Sequence, residues 1–269
     1  MSARSGGGAS AAGRAPAAGT PYAQTAAAVR FDWGVPGAIA ISDGADVVVV
    51  VDVLSFTTAL SVAIDAGVEV YPYRFRDASA ASFAASKQAV LAVGRSEAGT
   101  SGVSLSPLSV RAAAQPGGSL AERGRLVLPS PNGSAISRTL SERGSTVVGA
   151  CLRNAPAVAA WVQRHAGGAP IAVVASGERW PGDTMRPAVE DLWGAGAVMS
   201  ALGGTLSPEA AAAVAAYRQV APILPGSLAA CASGRELIAD GHGDEIALAA
   251  ESGTSVAVPV LQGECFRPA

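Results

Sequence analysis

Three stretches of this 269-residue chain place oxygen-bearing side chains where an apolar run ends. In "VVVVVDVLSFTT" (Val47–Thr58) five valines run into Asp52, and Ser55, Thr57 and Thr58 follow. "SPNGS" (Ser130–Ser134) brings Asn132, Gly133 and Ser134 after the apolar "RLVLP". "VASGER" (Val174–Arg179) ends in Ser176, Glu178 and Arg179, with Glu190 and Asp191 further on in "EDLWGAG". Hydroxyls, an amide and free backbone N–H groups at a helix start suit a phosphate, because the open N–H groups and the helix dipole favour an anion. Carboxylates beside them suit Mg2+, a hard cation that takes oxygen ligands.

Each stretch also has an ordinary reading. Ser55 can be an N-cap, and Thr57 and Thr58 can bond back to their own helix. Asn-Gly is a hairpin signal, and acids in a first helical turn are dipole partners. Asp52 weighs against this, because a carboxylate ending a buried strand needs a partner or a metal. After Gly133, "SAISRTL" lacks strand alternation, so that loop joins a strand to a helix. Glu190 heads the row Gly194, Ala197, Ala201, and Asp191 heads Ala195, Val198, Leu202. Both acids therefore extend apolar helix rows, which predicts a place at a sheet edge rather than on a solvated face. For the hydroxyls alone both readings stand.

The elements that must hold these residues alternate. Strands are predicted at Val29–Gly34, Val47–Val53, Val68–Tyr73, Ala89–Gly94, Arg125–Pro129, Ser145–Leu152, Pro170–Ala175 and Ser255–Leu261. Helices are predicted at Ser55–Ala66, Asp77–Gln88, from Ser134, and after Asn154 as N-cap. A loop runs from Arg95 to about Val110, and helix dominates from Pro187 to Glu251. Strands alternating with helices give an α/β fold, a three-layer αβα sandwich with a mostly parallel or mixed central sheet. In such sheets ligands bind beyond the carboxyl ends of strands.

Composition excludes several classes. The net charge of -2 offers no electrostatic footprint for nucleic acid or an anionic membrane. Mean hydropathy is +0.33, yet no uncharged apolar run reaches the roughly 18 residues of a membrane span. Residues 1–24, rich in Gly, Ala and Ser, read as a disordered tail before one domain at 25–269. No apolar signal core precedes that domain, so a cytoplasmic location is expected. Cys151, Cys231 and Cys265 have neither disulfide nor zinc spacing and read as buried free thiols. His165 and His242 lack metal-ligand spacing. The dinucleotide fingerprint and the Walker loop are both absent. The haloacid-dehalogenase pattern D-x-D-x-[TV] is not met, because Leu54 stands where its second aspartate belongs.

Taken in order, several motifs resemble the 2-phosphosulfolactate phosphatase family (ComB-like). They are "DVLSFTT" (Asp52–Thr58), "SPNGS" (Ser130–Ser134), "NAPAVA" (Asn154–Ala159), "VASGE" with "EDLWGAG" (Glu190–Gly196), and "SGREL" (Ser233–Leu237) near Asp244. The resemblance implies Mg2+-dependent hydrolysis of 2-phosphosulfolactate to sulfolactate and phosphate. It implies carboxylates at Asp52, Glu190 and Asp191 for catalysis and metal. Substrate and phosphate contacts are expected from Ser55, Thr57, Thr58, Asn132, Gly133, Ser134, Asn154, Ser176, Glu178 and Arg179. The chain departs from the pattern at three places: Ser55 replaces the arginine after D-V-L, "LSPLS" (Leu105–Ser109) lacks the family's Asn and Glu, and the family's G-E-R segment is blurred into "GRSEAG" (Gly94–Gly99). A catalytically silent relative that binds an anionic metabolite or a protein is therefore the alternative. The candidates to grip a substrate acid group are Arg179, Arg153, Arg95 and Arg186, with Arg179, directly off a strand, preferred. The uncharged helices at Ser55–Ile64 and Leu192–Gly203, with the Ala-rich segment Pro208–Ala216, predict a homodimer.

Overall fold

The computed structural model describes residues 19–75, 77–99 and 102–269. Strand β2 (Val47–Val51) explains the architecture best. All five of its valines are buried, which β-branched residues achieve only in a strand covered on both faces. Val47, Val49 and Val51 pack with one core. Val48 and Val50 pack with another. Helices therefore cover both sides of the sheet, as a continuous valine run requires.

The nine strands are β1 (Val29–Trp33), β2, β3 (Glu69–Tyr73), β4 (Val90–Leu91), β5 (Arg125–Pro129), β6 (Thr146–Ala150), β7 (Ile171–Ala175), and near the C-terminus β10 (Pro259–Gln262) and β11 (Cys265–Pro268). Two short strands, β8 (Glu178–Arg179) and β9 (Met185–Arg186), form a separate hairpin. The large sheet has the order β1-β7-β2-β6-β10-β11-β3-β5-β4. Strands β1, β7, β2 and β6 are parallel, and so are β3, β5 and β4. Three successive antiparallel pairings separate the groups, so the two halves run in opposite senses. The α/β sandwich and its mixed sheet match the reading from sequence.

The helices include α1 (Gly34–Ile41), α2 (Phe56–Asp65), α3 (Ala78–Ser86), α4 (Pro107–Ala113), α5 (Ser119–Arg123), α6 (Gly133–Glu142), α7 (Ala155–His165), α8 (Val189–Ser200), α9 (Pro208–Val220), α10 (Leu224–Ala230), α11 (Ala232–Ala239) and α12 (Asp244–Ala249). In a flat sheet β2 and β5 would lie about 24 Å apart, at roughly 4.8 Å per strand, with their carboxyl ends on opposite edges. Yet the loops that follow them touch, with Gly133 N 3.1 Å from Asp52 Oδ2. The sheet must therefore curl. It does so around α2 and α6, whose buried residues share one core with Val48, Val50, Val70, Leu126 and Leu128 from both halves. The two halves are joined through single-residue pairings, Val148 with Val260 and Val70 with Phe266.

Several elements differ from the expectations. The final strand is a hairpin, β10–β11, because Gly263 turns the chain back at φ 62°. The loop expected from Arg95 contains α4, which begins at Pro107 with Ser106 as its N-cap. The β8–β9 hairpin and α1 carry no periodicity that marks them. Of the predicted tail, residues 1–18 lie outside the described residues. Residues 19–24 hold a 3-10 turn (Pro21–Ala23), and the Gln24 amide exchanges hydrogen bonds with the Phe31 backbone. Of the three segments behind the homodimer expectation, two are covered within the chain, whereas α9 leaves Ala211, Ala212 and Ala215 exposed. Helix α2 is buried from Phe56 to Ile64, and α8 is covered by α9 and β7 of the same chain. Among the described residues no helix is long and apolar enough to cross a membrane.

Candidate active site

Asp52 leaves β2 and ties together two helix starts. Its Oδ1 accepts from Phe56 N at 3.1 Å and its Oδ2 from Gly133 N at 3.1 Å. Position 133 has room only for glycine: a Cβ there would come within 2.4 Å of Phe56 and 2.8 Å of Asp52 Oδ2. Asp191, in the first turn of α8, makes a second clamp. Its Oδ1 accepts from Val53 N at 2.7 Å and its Oδ2 from Gly177 N at 2.9 Å. Helix α8 comes this close to β2 because residue 194 is glycine; a Cβ would lie 2.6 Å from Val53. Both carboxylates thus order the strand exits, as well as placing negative charge there.

Glu178, Glu190, Asp191 and Asp52 feel one another. Burial, then Asp52 and Glu190, push the Asp191 carboxyl well above the usual carboxylate range. The same two neighbours, after burial, raise Glu178 to about 7, against a partial opposite effect from Arg186. Burial, then Glu190, push the Cys231 thiol up to about 12, and burial also raises Cys151 and Cys265. The cysteines are therefore thiols at neutral pH, which removes a thiolate nucleophile. The four carboxylates thus lie near enough to raise the proton affinity of two of their number.

Asp52 and Glu178 open into a cavity of about 310 Å³ that Ser55, Arg95, Ser130, Asn132 and Arg179 also line. Helix α11 closes it with Ser233, Glu236, Leu237 and Asp240. Asn132 joins two of these groups: its Nδ2 donates to Glu178 Oε2 at 3.2 Å, and its Oδ1 accepts from Arg179 Nε at 3.0 Å. Ser55 Oγ accepts from Arg95 Nη2 at 3.0 Å.

Other expected contacts lie elsewhere. Thr57 and Thr58 are fully buried, and their hydroxyls donate to Asp52 O and Val53 O, closing the turn after β2. Ser134 Oγ donates to Leu128 O, and Gly133 N is taken by Asp52. Asn154 braces the end of β6, accepting from Cys151 N and donating to Gly149 O and Ala257 O. These five bond within local structure and do not line the cavity, unlike the other expected contacts Ser55, Asn132, Glu178 and Arg179. Glu190 and Asp191 are buried beside the cavity rather than lining it. Ser176 is 3% exposed, and among the described residues its Oγ has no hydrogen-bond partner. Arg153 is held by Ser61, Asp65 and Glu251.

Two predictions follow from this placement. Thr58→Val should lower the melting temperature by a few degrees, because the buried Val53 carbonyl loses a donor worth about 1 kcal/mol. Asn132→Ala should instead weaken inhibition by inorganic phosphate at nearly unchanged melting temperature. The reverse pattern would return Thr58 to the site.

The second concerns pH in the presence of chelator. A glutamate in the unfolded chain titrates near 4.5, whereas folded Glu178 holds its proton to about 7. Its contribution to stability is complete below the lower value and is lost as pH rises through the upper one. Glu178→Gln should therefore gain stability over wild type between pH 5 and 8, by melting temperature. Parallel curves for the two proteins would refute the shift.

Sequence reasoning passed over Ser130, Glu236, Asp240 and Glu245. The segment Cys231–Glu245 carried polar residues in a helical pattern, but nothing in that pattern says it lies over β2. The curled α/β sheet with acidic strand exits around a polar cavity defines a class of ligand-binding α/β protein. A family model described as 2-phosphosulpholactate phosphatase matches residues 35–264 of the 269, and the chain belongs to that family. No curated protein matches the chain.

Proposed function

We propose that the chain is a Mg2+-dependent phosphatase acting on a small acidic phosphate ester, 2-phosphosulfolactate by family resemblance. The observation that carries this reading is the cluster of Asp52, Glu178, Glu190 and Asp191, opening through Asp52 and Glu178 into the polar cavity. Four acids line that cavity against two arginines, Asp52, Glu178, Glu236 and Asp240 facing Arg95 and Arg179. A phosphate dianion would be repelled there without a cation.

The donor set fits Mg2+ in chemistry: oxygen only, with the Ser176 hydroxyl buried and lacking a partner among the described residues. Among the described residues no three His, Cys, Asp or Glu side chains converge as a preformed metal cage. Mg2+ commonly uses one or two carboxylates, several waters and the substrate phosphate, so it needs no such cage. Asp52, with Glu190 or Asp191, would hold it, and bound there it would neutralise the phosphate oxygens and orient the attacking water. Glu178, fixed by Asn132, holds a proton that it exchanges near neutral pH. Asn132 and Arg179 line the same cavity.

Purified protein should release phosphate from a generic phosphomonoester in Mg2+ and stop in EDTA. Full activity in chelator would overturn the metal assignment. Phosphate binding without hydrolysis of any ester would favour the silent-relative reading.

A further inference from the structure

The Arg95–Glu245 pair is the feature of the cavity that the proposed reaction leaves unused. Glu245 is the second residue of α12, and its side chain is 3% exposed. Its carboxylate accepts from Arg95 Nε at 2.8 Å and Nη2 at 2.5 Å, a two-pronged bond that fixes the guanidinium plane. Nη2 also donates to Ser55 Oγ at 3.0 Å, three residues along from Asp52. Among the described residues Nη1 takes no hydrogen bond and remains to donate. The Arg95 side chain is 22% exposed and lines the cavity.

Arg179, the other arginine of the wall, is placed differently. Its Nε, Nη1 and Nη2 are taken by Asn132, Asp183 and Pro131 O, and its side chain is 39% exposed. A buried carboxylate that orients a half-buried arginine makes a better-desolvated anion contact than an arginine on the rim. The hydroxyls of Ser55 and Ser233 line the same cavity.

We propose that Arg95, held by Glu245 and Ser55, is the residue that grips the anionic substrate in this cavity, with Glu245 as its positioning residue. The claim that the anion is a substrate rests on the phosphatase reading, but the anion contact itself does not. Calorimetric titration with inorganic phosphate in Mg2+ tests it on wild type, Arg95→Ala, Arg95→Lys and the double variant R95M/E245Q, which strands no buried carboxylate. Steady-state kinetics on a phosphorylated three-carbon acid runs alongside.

Phosphate affinity should fall about 10- to 100-fold in Arg95→Ala and in the double variant, the loss expected for one charged hydrogen bond. Arg95→Lys should fall between, since it keeps the charge without the fork. Glu245→Gln should raise KM with kcat little changed, whereas a merely structural role would show in melting temperature instead. Equal phosphate affinity in wild type and Arg95→Ala overturns the inference, as does a wild type that binds no phosphate at millimolar concentration. Ester hydrolysis with unchanged KM in Arg95→Ala also overturns it and leaves the phosphatase reading intact. Phosphate binding that is weakened in Arg95→Ala, in a protein whose wild type cleaves no ester, supports the inference and removes the phosphatase reading.

Discussion

Replacing Asp52 with asparagine should slow phosphate release about a thousandfold. Asp52 and Glu178 are the two carboxylates shared by the cavity and the acidic cluster. Asp52, at the exit of β2 between two helix starts, is the one best placed to carry a cation to the phosphate. Removing a metal's charge stabilisation costs several kcal/mol at the transition state, and each 1.36 kcal/mol is a factor of ten. Asparagine keeps the shape and one acceptor for the two N–H groups that Asp52 now serves. Its folding cost should therefore be modest, about 1–2 kcal/mol, and read separately by denaturation. A rate within tenfold of wild type would move the metal and the chemistry away from Asp52.

The second large effect is on folding. Asp191→Ala should destabilise the metal-free protein by about 2–5 kcal/mol, seen as a lower urea midpoint. Two terms oppose each other. Removing Asp191 relieves repulsion from Asp52 and Glu190, the neighbours that raise its proton affinity. It also strands the N–H groups of Val53 and Gly177, both bonded to Asp191 in the buried floor of the site. A buried donor left without an acceptor costs about 1–3 kcal/mol, and two such losses outweigh one relieved repulsion between groups already prone to protonate. An unchanged or higher midpoint would mean that Asp191 serves only charge.

The valine run Val47–Val51 and the helix after it could be read from sequence because local pattern determines them. Asp52 followed because a carboxylate at the end of such a strand needs a partner. The curl of the sheet could not be read, since the two halves are joined only through the C-terminal hairpin, far along the chain from β2 and β5. That curl is what brings Gly133 to Asp52. Thr57 and Thr58 were ambiguous for a physical reason: the hydroxyl that suits a phosphate is the same one that closes a strand-to-helix turn. The carbonyls of Asp52 and Val53 are nearer, and the turn takes them. Arg179 was favoured for following a strand directly, whereas Arg95 lies in a loop whose partner, Glu245, is 150 residues away. Contacts of that separation leave no periodicity to read.

The most direct measurement is phosphate release from 2-phosphosulfolactate by the purified chain in Mg2+, with phosphoglycerate and an uncharged phosphomonoester compared under the same conditions. The account predicts turnover of an acidic ester in preference to the uncharged one, abolished by EDTA and by Asp52→Asn. Release that favours the uncharged ester, or that survives the loss of Asp52, would contradict it.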